Sequence, residues 1–227
     1  MTDTMPPRRL IKKTYTERNR YGWLFPALRS LECAFDMRFR RILSYGCSSG
    51  LECLTLRDLF PDAIVVGTDA NPEMIEEARK TCDEDTNILI TPYDEFWSIT
   101  DHFDMICCMS VLFEIQTQYI PKPEWVSRMA SSEHRLSTLQ GFGAWLETKF
   151  PFSEFESIVS GLDKRLNGGG LMVLMNANYR LLETSFGQNY QAILFPGTNI
   201  ETMPKFHRDY GVIDQAEYTE IVFRKHS

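Results

Sequence analysis

Short, wholly apolar runs alternate along this chain with amphipathic stretches, and that alternation leaves few folds open. Arg41 to Tyr45, Ala63 to Asp69 (AIVVGTD), Asn87 to Ile90, Phe103 to Leu112 (FDMICCMSVL) and Leu171 to Met175 read as strands. They are β-branched or apolar throughout, as strands covered on both faces must be. Between them lie helical patterns. Residues 23 to 36 (WLFPALRSLECAFD) place Leu24, Leu28, Leu31 and Phe35 on one side, and Leu51 to Phe60 does the same with Leu51, Leu54 and Leu59. Asn71 caps and Pro72 opens PEMIEEARKTC, with Met74, Ile75 and Ala78 inward. Pro151 to Leu166 is a further amphipathic helix, ended by the glycine run NGGG at 167 to 170. Ala216 to Lys225 alternates as a final, partly exposed strand, with Tyr190 to Leu194 as its pairing partner. The order predicts an α/β, doubly wound, mainly parallel sheet joined by right-handed crossovers, with helices on both faces.

Composition restricts function more than fold. At 227 residues, 43% of them hydrophobic, the chain suits one sizeable core. A formal charge of −7 argues against a broad phosphate-binding face, so nucleic acid is not expected as a partner. Six cysteines without paired metal-ligand spacing read as thiols in a reducing cytosol, and no metal site is expected. Neither a membrane-spanning window nor the hydrophobic core of a signal peptide is present in the pattern, which makes cytoplasmic location the default and membrane partners unexpected.

Doubly wound sheets bind ligands at the carboxyl ends of their strands. The first such end carries Gly46, Cys47, Ser48 and Gly50, where glycine lets the backbone approach a ligand closely. Asp69 ends the second strand beside Ala70, 19 residues beyond Gly50, where a carboxylate would accept both hydroxyl hydrogens of a ribose. Asp94, or its neighbour Glu95, follows the third strand and could accept a hydrogen bond from an adenine amino group. Met109 and Ser110 lie toward the same end of the fourth strand. A nicotinamide-dependent oxidoreductase would need G-x-G-x-x-G at the corner, whereas the spacing here is G-x-x-x-G.

The segments ILSYGCSSG, AIVVGTDANPEMIEEAR, NILITPYDEF, FDMICCMSVL and LNGGGLMVLMNAN together resemble the class I S-adenosylmethionine-dependent methyltransferases, from about residue 41 onward. That resemblance implies a seven-stranded sheet whose last strand, EYTEIVFRK, is antiparallel. It implies S-adenosyl-L-methionine as cofactor, its methionine part at Gly46 and Gly50, its ribose at Asp69 and its adenine at Asp94. The family's acidic residue two positions before the first glycine is Ser44 here, and its middle glycine is Ser48. GCSSGLE is closer to the chemotaxis-receptor methyltransferases, which keeps a protein side-chain carboxyl methyltransferase open as an alternative. A degenerate methyltransferase fold kept as a binding module is the non-catalytic alternative.

Methyl transfer needs alignment and exclusion of water more than a fixed catalytic residue. The expected acceptor is a small molecule such as a metabolite, sugar or natural-product intermediate. Candidate catalytic residues are His134, His207 and Tyr210. His134 falls in the long, aromatic-rich stretch from 114 to 150, read as a cap over the acceptor, with a homodimer contact as its rival reading. Residues 1 to 40 are read as an N-terminal helical segment covering the cofactor site, and 41 to 227 as the methyltransferase domain bearing that cap.

Overall fold

The computed structural model describes residues 16–114, 133–195, 204–213 and 220–227, and the side chains of 133–138 lie outside that description. In chain order the helices are α1 (Leu24–Ala34), α2 (Leu51–Leu59), α3 (Pro72–Thr81), the one-turn α4 (Tyr93–Phe96), α5 (Glu133–Lys149) and α6 (Phe152–Asp163). The strands are β1 (Arg41–Tyr45), β2 (Ile64–Asp69), β3 (Ile88–Pro92), β4 (Phe103–Met109), β5 (Leu166–Met175), β6 (Tyr190–Ile193), β7 (Lys205–Phe206), β8 (Val212–Ile213) and β9 (Val222–Lys225). Seven strands form one sheet in the order β3-β2-β1-β4-β5-β9-β6, while β7 and β8 pair as a separate ribbon. Strands β1 to β5 run parallel; β9 is antiparallel to both β5 and β6.

The two-residue period of the strands divides the core between the two faces of the sheet. Ile42, Val65, Met105, Cys107, Leu171, Val173 and Val222 pack with residues of α1 and α2 on one face. Their neighbours Leu43, Val66, Ile106, Cys108, Met172, Leu174 and Phe223 pack with residues of α4, α5 and α6 on the other. Each such aliphatic side chain taken from water contributes about 1.5–3 kcal/mol before entropy is charged. A register slip of one residue would exchange the two sets and is thereby disfavoured.

Two local expectations are corrected. The face α2 buries consists of Cys53, Thr55 and Leu56, whereas Leu51, Leu54 and Leu59 are only half-buried. The NGGG run is not a stop after a helix but the first half of β5, which begins at Leu166 and shifts register against β4 between Phe103 and Met105. Gly170 passes so close to β4 that an added Cβ would sit 2.9 Å from the Asp104 carbonyl oxygen. Of the predicted final strand, residues 216–219 lie outside the described residues, and 222–225 form β9 and pair with 190–193.

Candidate active site

The strand order reverses between β1 and β4, and there the sheet's carboxyl edge opens into a cleft of about 1010 Å³, counting the space open to solvent. Its floor is Tyr45, Gly46, Cys47 and Ser48 after β1, Thr68, Asp69 and Ala70 after β2, and Met109 through Phe113 after β4. Thr16, Glu17 and Arg20 of the N-terminal segment, Glu52 and Thr55 of α2, Tyr93 of α4 and Ile158 of α6 complete it.

Hydrogen bonds explain the shape of the first corner. The Gly46 and Cys47 amides both donate to the Thr68 carbonyl oxygen, at 2.8 and 2.9 Å, and the Ser48 amide donates to Asp69 Oδ2 at 2.9 Å. Asp69 Oδ1 accepts from the Asn71 amide at 2.8 Å. Asp69 therefore welds the first corner to the second, and the corner amides expected to cradle a ligand are spent on β2 instead. Gly50 caps α2 in the left-handed region (φ +88°), and Ser48 (φ +49°), Ser110 (φ +59°) and Asn176 (φ +56°) share that region at the ends of β1, β4 and β5. Backbone held there by non-glycine residues costs energy and collects where a binding site is being shaped.

Two polar groups were not foreseen. Glu52, half-buried in the first turn of α2, accepts a hydrogen bond from Ser44 Oγ at 2.7 Å. Burial pushes its carboxyl up to about 7, against the opposing pull of the Ser44 hydroxyl and the Arg20 charge. Buried behind the lining residue Ser110, Tyr21 OH lies 2.7 Å from Ser110 Oγ, which accepts a bond from Asn176 Nδ2 at 2.8 Å. Burial also raises the Tyr21 phenol, so it keeps its proton near neutral pH.

Of the sequence candidates, the cleft gathers Gly46, Cys47, Ser48, Asp69, Ala70, Met109 and Ser110. Gly50 is not on the cleft wall: it is buried against α3, where an added Cβ would lie 2.8 Å from Cys82 Sγ. Asp94 and Glu95 are exposed on α4 and outside the cleft lining, whereas the adjacent Tyr93 is in it. The catalytic candidates do not converge. His207 Nδ1 lies 2.6 Å from Glu183 Oε1 beside the β7–β8 ribbon, and the Tyr210 hydroxyl accepts a long bond from the Phe152 amide at 3.4 Å while its ring packs edge-on against Tyr179. Neither lines the cleft. The ribbon docks through a parallel bridge between Phe206 and Tyr179, four residues past the end of β5. The side chain of His134 and residues 115–132 of the expected cap lie outside the described residues.

A parallel sheet with its crevice where strand order reverses defines the doubly wound class of α/β protein, in which ligands bind outside the carboxyl ends of the strands. Residues 42–132 match the family model described as a methyltransferase domain. That match takes in 91 of the 227 residues, and the methyl donor that a domain of this kind would imply is S-adenosyl-L-methionine. Comparison with curated proteins gives no match. Among solved structures it is similar to PKMT2 from Rickettsia typhi (17% identity, 59% of this chain and 20% of that one, TM-score 0.35). It is also similar to the N-methyltransferase NodS from Bradyrhizobium japonicum WM9 in complex with S-adenosyl-L-homocysteine (15% identity, 66% and 58%, TM-score 0.41). A second NodS structure aligns at 13% identity over 90% of this chain and 98% of that one, with a TM-score of 0.44. The chain spans 20% and 48% of the length of the first two structures matched. Among the described residues no helix is long and apolar enough to cross a membrane.

The cleft residues fit such a donor. Asp69 brings a carboxylate to the lining, apolar walls come from Ala70, Met109, Leu112 and Ile158, and Glu52 and Arg20 add an acidic and a basic group. Thr68 Oγ1, also at the cleft, is buried without a hydrogen-bond partner among the described residues.

Proposed function

We propose that the protein is an S-adenosylmethionine-dependent methyltransferase acting on a small-molecule acceptor. The observation that carries the reading is Asp69, a carboxylate fixed on the cleft lining at the tip of β2 by the Ser48 and Asn71 amides, at the crevice where the strand order reverses. When bound, S-adenosyl-L-methionine supplies a methyl group on a sulfonium, displaced in line by an acceptor lone pair. Asp69 would hold the ribose hydroxyls, and Ala70 and Tyr93 would flank the base. Asp94 and Glu95, exposed on α4, are given no part in this reading.

The protein's share of the chemistry is orientation and exclusion of water. Tyr21 and Ser110 carry two hydroxyl protons, and the short contact between their oxygens uses one. With Tyr21 as the donor in that contact, the Ser110 hydroxyl, which lines the cleft, keeps its proton to hold an acceptor oxygen or nitrogen at the end of β4. Among the described residues lining the cleft there is no histidine, so positioning rather than histidine base catalysis suits the geometry. The stretch from 114 to 150 is proposed as the acceptor cap and the segment before α1 as the cofactor's cover, since Thr16, Glu17 and Arg20 line the cleft.

Calorimetric titration with S-adenosylhomocysteine tests the reading. Micromolar binding is expected, and Asp69→Ala should lose at least about 1.5 kcal/mol of it, the scale of a hydrogen bond to a charged group. Absence of heat from the wild-type protein at millimolar ligand would refute the function.

A further inference from the structure

The ladder between β4 and β5 ends at the pair Met109 and Met175, but the two chains stay joined past the edge of the sheet. The Ser110 amide donates to the Met175 carbonyl oxygen at 2.9 Å, and Asn176 Nδ2 donates to Ser110 Oγ at 2.8 Å. Two residues further on, Asn178 takes over. Its amide donates to the Leu112 carbonyl oxygen at 3.1 Å, and its Oδ1 accepts from the Glu114 amide at 2.5 Å. The same residue grips the β7–β8 ribbon. Asn178 Nδ2 donates to the Pro204 carbonyl oxygen at 3.2 Å, and its own carbonyl oxygen accepts from the Phe206 amide at 2.8 Å.

Asn178 is fully buried, with its backbone N–H and C=O and both ends of its side-chain amide engaged. The side chain faces one backbone donor and one backbone acceptor, which an amide satisfies together. An ionised aspartate would lack the donor, and a leucine of similar shape would leave both partners unmet in the interior, where an unmet polar group is costly. Leu112 and Phe113, spanned by the bonds at Leu112 and Glu114, line the cleft. No described residue of the ribbon does.

We propose that Asn178 is a positioning residue for the cleft wall that follows β4, and that through it the β7–β8 ribbon shapes ligand binding without lining the cleft. The inference rests on the methyltransferase reading, in which that wall leads into the stretch from residue 114 proposed as the acceptor cap. Asn178 acts through Leu112 and Phe113, and the ribbon acts through Asn178.

Ligand affinity and amide hydrogen exchange of the free protein test this together, with S-adenosylhomocysteine as the probe. Asn178→Leu should weaken S-adenosylhomocysteine by about fivefold or more and speed exchange across residues 110–114. Phe206→Leu keeps every backbone group that Asn178 bonds and acts from the ribbon alone; it should do both to a smaller extent. Tyr190→Phe removes a bond to Asp163 away from the cleft lining, which gives the effect of lost stability by itself, and should alter neither. Three results would each overturn the inference while the methyltransferase reading stands: unchanged affinity in Asn178→Leu, unchanged exchange across 110–114 in Phe206→Leu, or an equal loss of affinity in Tyr190→Phe. Wild-type protein that binds no S-adenosylhomocysteine overturns both. Should Asn178→Leu fail to fold, Phe206→Leu decides by the same two measurements, and no change in either sinks the inference.

Discussion

Gly46 owes its identity to the neighbouring chain as much as to any ligand. Its φ is +82°, and a Cβ added there would stand 2.1 Å from Val111 Cγ1. The left-handed backbone costs a side-chain-bearing residue about 1–2 kcal/mol, and the clash adds roughly 1–3 kcal/mol more. Gly46→Ala should therefore lower unfolding free energy by roughly 2–5 kcal/mol in urea titrations. Adding Val111→Ala should restore the steric share alone, a coupling that a double-mutant cycle measures. Glu52 makes a second prediction at this scale. Its carboxyl sits at about 7 in the folded protein against an ordinary 4.5, so the folded state holds a proton that the unfolded chain has already released between those values. Stability must then fall as pH rises through that window, by at most about 3 kcal/mol and less with partial solvation. Glu52→Gln should match the wild type at pH 4 and exceed it at pH 8 in urea midpoint. Asp69 was legible because its distance from the glycine corner and its place at a strand tip are both sequence properties. Glu52 was not: an acid in a first helical turn reads as a partner for the helix dipole, and only folding reveals that Ser44 reaches it.

At the scale of elements, what could be read was whatever depended on local pattern. Asn71 accepts from the Glu73 amide at 3.0 Å with Pro72 opening the helix, the arrangement expected from the residues themselves. Asn71→Ala should cost about 1 kcal/mol and Asn71→Gly only a few tenths, measured by thermal denaturation. The strands were equally plain, since a run buried on both faces has to be apolar along its whole length. Failures came where a tertiary neighbour overruled a local cue. α2 buries Cys53 and Leu56 because Gly67 on β2 leaves room for sulfur, an added Cβ there falling 2.8 Å from Cys53 Sγ, so the leucines of α2 turn partly outward. The glycines at 168–170 looked like a helix stop; the close pass of Gly170 over β4 made them part of a strand. Tyr179, whose hydroxyl donates to the Phe150 carbonyl at 2.6 Å, holds the β7–β8 ribbon against the aromatic cluster of α5 and α6, a tertiary contact with no local cue.

The whole molecule is closed by its last residues. β9 lies between β5 and β6, antiparallel to both, so β6 joins the sheet only through a strand made after it. Val222 and Phe223 are fully buried on opposite faces, one in each half of the core, and the Leu174 amide donates to the Ile221 carbonyl at 2.8 Å. Lys225 Nζ adds bonds to the Asp163 and Leu166 carbonyls at 2.7 and 3.1 Å, fastening the end of α6 to the start of β5. Removing residues 220–227 would leave the β5 edge unpaired, strip β6 of its neighbour and open both core layers at once. The loss would not be local, because β5 also borders β4, whose carboxyl end carries Met109 to Phe113 of the cleft floor. Deletion of those eight residues should abolish the cooperative thermal transition and raise binding of a hydrophobic dye, while Phe223→Ala should keep the transition at a cost of about 3–5 kcal/mol. A truncated chain that still melts cooperatively, with its midpoint unchanged, would mean that β1 to β5 and their helices stand as a unit without the C-terminal strand.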